Sequence, residues 1–459
     1  MESGSERGKK KLVSTDGYCF TFKRQQKSGT IEWRCSVRGK LNPCSVVIKQ
    51  TGDRFYSTGP VSHTHPARPG ILTAVKIKTQ CKIVGKDNVF ESANTIVSSV
   101  NNQLCDPSQP EAARPNHNTL IRTLNRARAS CRPKDPSDLS FDLDLDYLKE
   151  TIPEEFFRRH VVVGSKKHLI FCTATQIDSL VKGKTWYIDG AFKVVKHPFY
   201  QLLSIHCFIK SEKCMKQIPL CFAIMSGKRS KDYKAVFNAV LDILPVEPYV
   251  SSFVVDFEAG LWKALRSVFN DPVIHGCAYH FTQALWRKVQ ELGLQTLYCK
   301  RDKVYKIVKQ VLALQFLPHE DIREAFHELS NKVGVIGPIR EFMNYVNETW
   351  LQHNVWKVDN WSVFGRSIRT NNDVEGWHHK LKRSAKKGNL PFYLLISLLY
   401  SEAKEIPNQV KLVREGKLKR YQRNRVKEIQ GRINEVWKEY NDRKITTGQL
   451  LKKCAYIYV

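Results

Sequence analysis

The chain has 459 residues, 42% of them hydrophobic, and a formal net charge of +30. That length allows roughly three domains with real apolar cores, and the charge turns attention away from cationic partners and toward a polyanion. No apolar run reaches the ~18 residues that a membrane-spanning helix needs, and the polar start "MESGSERGKKKL" does not read as a signal peptide, so no membrane partner is expected.

The charge is clustered. Residues 1–70 hold 13 Lys/Arg against 5 Asp/Glu, and residues 377–459 hold 20 against 7, while the middle is diluted. Clustered cations are the electrostatic footprint of a nucleic-acid partner. The 13 cysteines are odd in number and scattered through a long chain. They suit reduced thiols, some of them metal ligands, better than a disulfide scaffold.

Residues 1–70 form the first expected domain. Tyr18, Phe20 and Phe22 alternate as in a strand, and so do Ile31, Trp33 and Cys35. Cys44 and the pair His63 and His65 follow. Two thiolates and two imidazoles are the donor set of a closed tetrahedral zinc site. In a module this small the metal would supply folding free energy. The alternative is two buried cysteines and two loop histidines. The order aromatic, Trp-x-Cys, Cys, His-x-His over residues 12–66 resembles the FLYWCH zinc finger. The resemblance implies a DNA- or protein-binding module. Lys23, Arg24, Lys27, Arg34, Arg38 and Lys40 favour phosphate contact.

Residues 71–183 read as a polar, helical bridge. "DNVFESANTIVSSVNN" and "NHNTLIRTLNRARAS" carry apolar residues at helical spacing, with Pro-rich breaks after each. Arg122, Arg126 and Arg128 could contact DNA there, and a plain helical spacer is the alternative.

The pattern changes at residue 184. "KTWYIDGAFKVV", "YQLLSIHCFIK" and "KQIPLCFAIMSG" read as three antiparallel strands, because the joints are too short for crossover helices. The helix "SKDYKAVFNAVLDIL" and two strand-then-helix units, "SSFVVDFEAGLWKALRSVF" and "PVIHGCAYHFTQALWRKVQEL", complete the order of an RNase H-like α/β fold. In that fold the first and fourth strands lie side by side, so Asp189 and Asp256 should face each other. A charged Asp in an apolar strand is costly unless paired or metal-bound, and two close carboxylates point to a divalent cation. Glu375, in "TNNDVEGWHHKLKR", is the natural third ligand. Each residue has a plainer reading: Asp189 could start an Asp-Gly turn, Asp256 could cap the helix that follows, and Glu258 is a decoy for Asp256. Asp256 and Glu375 are 119 residues apart. Helical patterns over about 290–365 account for that gap as an all-helical insertion.

Together "YIDGAFKVVKHPFYQLLSIH", "VVDFEAG", "IHGCAYHFTQALWRKVQELGL" and "TNNDVEGWHHKL", over residues 184–385, resemble the Mutator-like element (MULE) transposase domain. The resemblance implies an Asp-Asp-Glu triad at Asp189, Asp256 and Glu375, holding magnesium or manganese for DNA strand cleavage and transfer. It also matches Cys277 and His280 to the family's Cys-x-x-His signature. These two are candidates for a second zinc site, with His378 or His379 as further ligands and Cys299 as a weaker one. Packing or DNA contact is the rival role.

Residues 386–459 form a basic helical C-terminal region. "LPFYLLISLLYSEAKEI" should be buried, and over residues 408–442 Leu418, Tyr421, Val426, Ile429, Ile433, Val436 and Tyr440 make one helical stripe, broken only near 426, opposite the basic face "KLKRYQRNRVK". DNA, an import receptor or a second protomer could take that helix; a solvated surface helix is the alternative. The expected function is a DNA transposase aided by a zinc finger, with zinc and magnesium or manganese as cofactors. Element ends and target DNA are its expected partners, together with self-association, and the nucleus its location. The competing classes are a non-catalytic DNA-binding regulator descended from a transposase and a zinc-finger adaptor for protein.

Overall fold

The computed structural model describes residues 10–39, 43–57, 62–212, 214–334, 337–385 and 389–458. The chain divides into two compact units, residues 1–134 and 135–459.

The first unit opens with an antiparallel sheet of five strands in chain order: β1 (Lys11–Val13), β2 (Cys19–Gln25), β3 (Ile31–Cys35), β4 (Val47–Thr51) and β5 (Arg54–Ser57). Its core is small and is made of Phe20, Trp33, Cys35, Cys44 and Val46. Phe22 stays at the rim, edge-on to Trp33, beside a register shift in β2. Three helices follow, Ile71–Asp87, Ala93–Leu104 and His117–Ala129. The first of them adds to the two that the sequence pattern suggests. Ser92 and Asn116 cap the second and third helices by accepting from the Thr95 and Thr119 amides. Arg128 is buried, and its guanidinium donates to the carbonyls of Gly85, Asn88 and Glu91. It holds the end of the first helix and is not presented to DNA, whereas Arg122 and Arg126 are exposed.

The second unit is built on a seven-stranded sheet. Its strands are β6 (Phe157–Val163), β7 (Lys166–Phe171), β8 (Thr185–Ala191), β9 (Gln201–Lys210), β10 (Met215–Met225), β11 (Ser252–Val255) and β12 (Val273–Gly276), in the order β12-β11-β8-β9-β10-β7-β6. The β6–β7 hairpin lies where a helical bridge was expected. Its two-residue turn carries Gly164 at a φ of 58°, a conformation that suits a tight hairpin. β8, β9 and β10 are antiparallel, and β11 runs parallel to both β8 and β12. Strand β8 ends at Ala191, short of the "FKVV" that the sequence seemed to add.

β9 and β10 are nearly continuous apolar runs because both sheet faces are covered. Trp186 and Ile188 join the main core, while Tyr187 packs with Val254 and Val374 on the opposite face. Between β12 and the helix Asn372–Ala385, the ordered elements from 295 to 361 are all helical. Phe257, Trp262, Phe281, Trp350, Trp356 and Trp361 knit this insertion to the sheet.

The buried helix Phe392–Lys404 is present as expected. The stripe beyond it is broken: residues 415–423 are not helical and Tyr421 is 82% exposed. The helix resumes at Asn424–Asn441, where Ile433, Val436 and Trp437 enter the main core. Its apolar face is thus covered from Ile433 to Trp437, while Val426 near its start stays exposed. Among the described residues no helix is long and apolar enough to cross a membrane.

Candidate active site and metal centres

In the first unit Cys35, Cys44, His63 and His65 offer ligand atoms all within 4.8 Å of one another. Cys35 Sγ lies 3.2 Å from His65 Nε2, and Cys44 Sγ lies 3.3 Å from His63 Nδ1. Sulfur and nitrogen ligands on one tetrahedral zinc are about 3.5 Å apart, so the donor set fits zinc in both chemistry and spacing. His65 Nδ1 donates to the Pro66 carbonyl at 3.0 Å, which leaves Nε2 as the free lone pair, the outer-shell arrangement usual for a ligating His. His63 is stacked on Tyr18 with ring centroids 3.7 Å apart. Burial works against ionisation of Cys44, but the amides of Val46 and Thr64 bring its thiol down to about 7.

The cations on this module are not equivalent. The buried Glu32 carboxylate takes Arg24 at 2.8 Å and Lys23 at 3.1 Å, and these partners hold it down to about 2. Two of the six expected phosphate contacts are therefore engaged within the module. Lys27, Arg34 and Arg38 are exposed. Lys40 lies outside the described residues.

In the second unit the register explains the aspartates. Val254 pairs with Tyr187 and Val255 with Ile188 in parallel. One further step of that register sets Asp256 opposite Asp189. Alternation puts both on the Tyr187 and Val254 face, the face covered by the helix Asn372–Ala385 through Val374. Asp189 stands within β8 and its Oδ1 accepts from the Gly190 amide at 2.8 Å; it does not start a turn. Asp256 Oδ1 accepts from the Phe257 amide at 2.6 Å, and the residue flanking the next helix is Glu258, not Asp256. Glu258 turns to Tyr233, whose hydroxyl donates to Oε2 at 3.0 Å.

Glu375 comes to this end of the sheet on a firmly held helix. Asn371, fully buried, donates through Nδ2 to the carbonyls of Ile188 and Val254, at 3.3 and 3.5 Å. Its amide donates to Cys277 Sγ at 3.2 Å. Asp373 is paired with Arg420 at 2.9 Å, so this arginine of the basic tail is engaged internally. The Trp377 indole N–H reaches Glu402 at 3.0 Å. The sequence reading missed Asn371; an Asn before a helix looks like an ordinary cap, and nothing local says that its amide reaches two strands.

His280 stands between two of the acids, its Nδ1 3.5 Å from Asp256 Oδ1 and its Nε2 3.4 Å from Glu375 Oε1. The ligand atoms of Cys277, His280 and Glu375 lie within 4.8 Å of one another, and the three carboxylates do not form so tight a group. Burial, reinforced by Asp189, pushes the carboxyls of Asp256 and Glu375 up, with His280 pulling both back. Against the lowering that burial alone would give, the Cys277 sulfur, Asp256 and Asp189 push the His280 imidazole up to about 10. When it carries a proton, that ring between two acids offsets part of the repulsion of gathering three. Glu375 Oε1 is buried without a hydrogen-bond partner, and an all-oxygen set of two aspartates and a glutamate is chemically suited to a hard divalent ion.

His378 does not join Cys277 and His280. Its Nδ1 lies 3.5 Å from Asp189 Oδ2 and its Nε2 lies 3.2 Å from Ser204 Oγ. His379 and Cys299 are exposed.

No curated protein matches the chain. Residues 185–284, a span that holds Asp189, Asp256, Cys277 and His280 but stops short of Glu375, match the MULE transposase domain. Residues 3–65 match the FLYWCH zinc finger domain, so the chain is similar to both families that its motifs resemble, in the expected order.

Proposed function

We propose that the chain is a DNA transposase that cleaves and joins strands through Asp189, Asp256 and Glu375, with its zinc finger aiding DNA binding. The carrying observation is the parallel register that brings Asp256 beside Asp189, with Asn371 tying the Glu375 helix to both strands. Counted from β8, the strand order 3-2-1-4-5 in β10, β9, β8, β11 and β12 supports an RNase H-like core. Magnesium or manganese, when bound by the three carboxylates, would activate the attacking oxygen and stabilise the leaving 3′-oxygen. The chain's own residues orient the carboxylates: the Gly190 and Phe257 amides fix one oxygen of each aspartate. Exposed cations on the zinc finger would hold phosphates without reading sequence. Nuclear location and self-association are proposed with this reading. Asp189→Asn and Asp256→Asn should each abolish cleavage of end-containing DNA in manganese while leaving DNA binding intact; full cleavage by either variant would sink the proposal.

One observation favours a second reading. Cys277 and His280 have zinc-type donors and Glu375 is the acid nearest them. If these three hold a structural zinc, Glu375 is withdrawn from the aspartates and the chain is a non-catalytic DNA-binding regulator. Metal analysis distinguishes the two: a second tightly held zinc, lost in Cys277→Ser, supports the regulator.

A further inference from the structure

Phe192 and Tyr200 lie at the end of the sheet where Asp189 and Asp256 gather. Phe192 follows β8 directly, and the Tyr200 amide donates to the Met225 carbonyl at the end of β10. The two rings meet edge to face with centroids 5.5 Å apart, and they are 47% and 45% exposed. Lys228 Nζ stands 5.7 Å from the Phe192 centroid and 5.3 Å from that of Tyr200. Single exposed apolar side chains are ordinary. A pair of rings fixed against each other, with one cation over both, is a built surface.

Its foundation is rigid. Gln201, next to Tyr200, is fully buried and donates to the Tyr233 hydroxyl at 2.7 Å. That hydroxyl in turn donates to Glu258, two residues past Asp256. Gly190 meets the same support, since a Cβ there would come within 2.7 Å of Gln201 Oε1. Phe192 is three residues beyond Asp189, at most roughly 10 Å along an extended chain. The Phe192 ring lies on the Gly190 side, 4.0 Å from where a Gly190 Cβ would stand, so a strand whose phosphate lies at the aspartates would reach these rings by turning round the end of the sheet.

We infer that Phe192, Tyr200 and Lys228 form a stacking subsite for one unpaired nucleobase of the DNA strand beside the reacting phosphate. The inference rests on the transposase reading for its position and on the ring pair for its chemistry. Aromatic faces accept any base, since every base has a π-face, and an ammonium beside them meets the adjoining phosphate. A base stacked inside a duplex has both faces covered, and a blunt end bares only one face of its last pair, so the subsite would favour a frayed or melted end, whose unpaired base can turn into it.

The test uses the full chain and two DNA substrates of the same sequence, one blunt and one with a short unpaired end carrying 2-aminopurine. The wild type should bind the unpaired end more tightly and quench the probe. Phe192→Ala and Tyr200→Ala should each lose that preference by roughly 5- to 150-fold, keep blunt-duplex affinity and restore the fluorescence. Phe192→Tyr should retain the quench, and unchanged thermal midpoints would show that the alanine variants are folded. Equal binding of both substrates by the wild type overturns the inference. So does an undiminished quench in the alanine variants, or a change in self-association with no change in DNA binding. Cleavage separates the two claims: a wild type that cleaves without quenching loses the subsite and keeps the transposase, while one that quenches without cleaving does the reverse.

Discussion

His378 faces Asp189 across 3.5 Å, the farther nitrogen of its ring 3.2 Å from Ser204 Oγ. The contact joins the Glu375 helix to β8 and its neighbour β9, so one imidazole relates the positions of two candidate ligands. His206 continues the chain, its Nε2 2.9 Å from the same hydroxyl. Such outer partners typically change metal affinity or activity 10- to 100-fold when removed. His378→Ala should therefore raise the manganese concentration needed for half-maximal cleavage by roughly 10- to 100-fold with DNA affinity unchanged. A lower rate at an unchanged manganese requirement would mean that His378 only packs.

His206 makes a prediction about pH. Burial, with the neighbouring His378, keeps its pKa well below the usual histidine value. The unfolded chain gains a proton near pH 6.5 and the folded chain does not, so stability is full above that pH and falls as pH drops below it. His206→Asn should flatten this fall. Urea midpoints at pH 7.5 and 5.5 measure it, and comparing variant with wild type at each pH cancels any loss of zinc. Equal pH slopes in both proteins would contradict a buried neutral His206.

The central strands were legible because burial on both faces leaves long apolar runs, and an Asp within one, as at Asp189, is conspicuous. The β6–β7 hairpin was not. β6 is an edge strand with Arg158, Arg159 and His160 in succession, a composition that edge strands use against unwanted pairing and that resembles a polar helix or loop. The placement of Glu375 was read only in part. Its approach to the sheet followed from the motif order, but the insertion of His280 between Asp256 and Glu375 depends on how the helix Ala278–Glu291 enters, which no local pattern encodes. Arg128 and Arg420 looked like surface cations because sequence does not show which carbonyls or acids will meet them.

The zinc finger offers a test of which cations reach DNA. Arg24 and Lys23 are bound to Glu32, whereas Arg34 and Arg38 are exposed. Each phosphate contact contributes about 0.9 to the slope of log affinity against log salt on duplex DNA. Changing Arg34 and Arg38 together to Ala should lower that slope by about 2, while Arg24→Ala should leave it nearly unchanged. An equal loss from Arg24→Ala would show that DNA competes successfully for Glu32's partners.

Chelation supplies a separate check on the same module. With so small a core, the fold of residues 12–66 should depend on the metal. Adding a strong chelator to the full chain should release zinc and open the backbone near Arg34 and Arg38 to trypsin, while the second unit stays resistant. Cys35→Ser should behave as the chelated protein does. A zinc-free chain that remains uncut there would show that Phe20, Trp33 and Val46 suffice.

Glu375 decides between the two readings because it is shared. Beside the sheet it would complete an oxygen set with Asp189 and Asp256; beside the helix Ala278–Glu291 its carboxylate lies within 4.8 Å of the ligand atoms of Cys277 and His280. Glu375→Gln preserves shape and removes the charge, so the two outcomes separate cleanly. If the carboxylate holds a hard divalent ion, strand cleavage should fall roughly a thousandfold, the scale on which one preorganised electrostatic group acts. DNA binding should persist or tighten, because a negative charge facing phosphates has gone. Glu258→Gln should do much less, since that acid is turned to Tyr233. His280→Gln adds the discriminating arm. It removes the imidazole between Asp256 and Glu375, and with it any positive charge set against a bound divalent ion, so a carboxylate site should need no more manganese and should still cleave. A structural zinc would instead be lost in both Glu375→Gln and His280→Gln, with a lower thermal midpoint and no cleavage to lose. Full cleavage by Glu375→Gln would leave its helix as a DNA-facing element only.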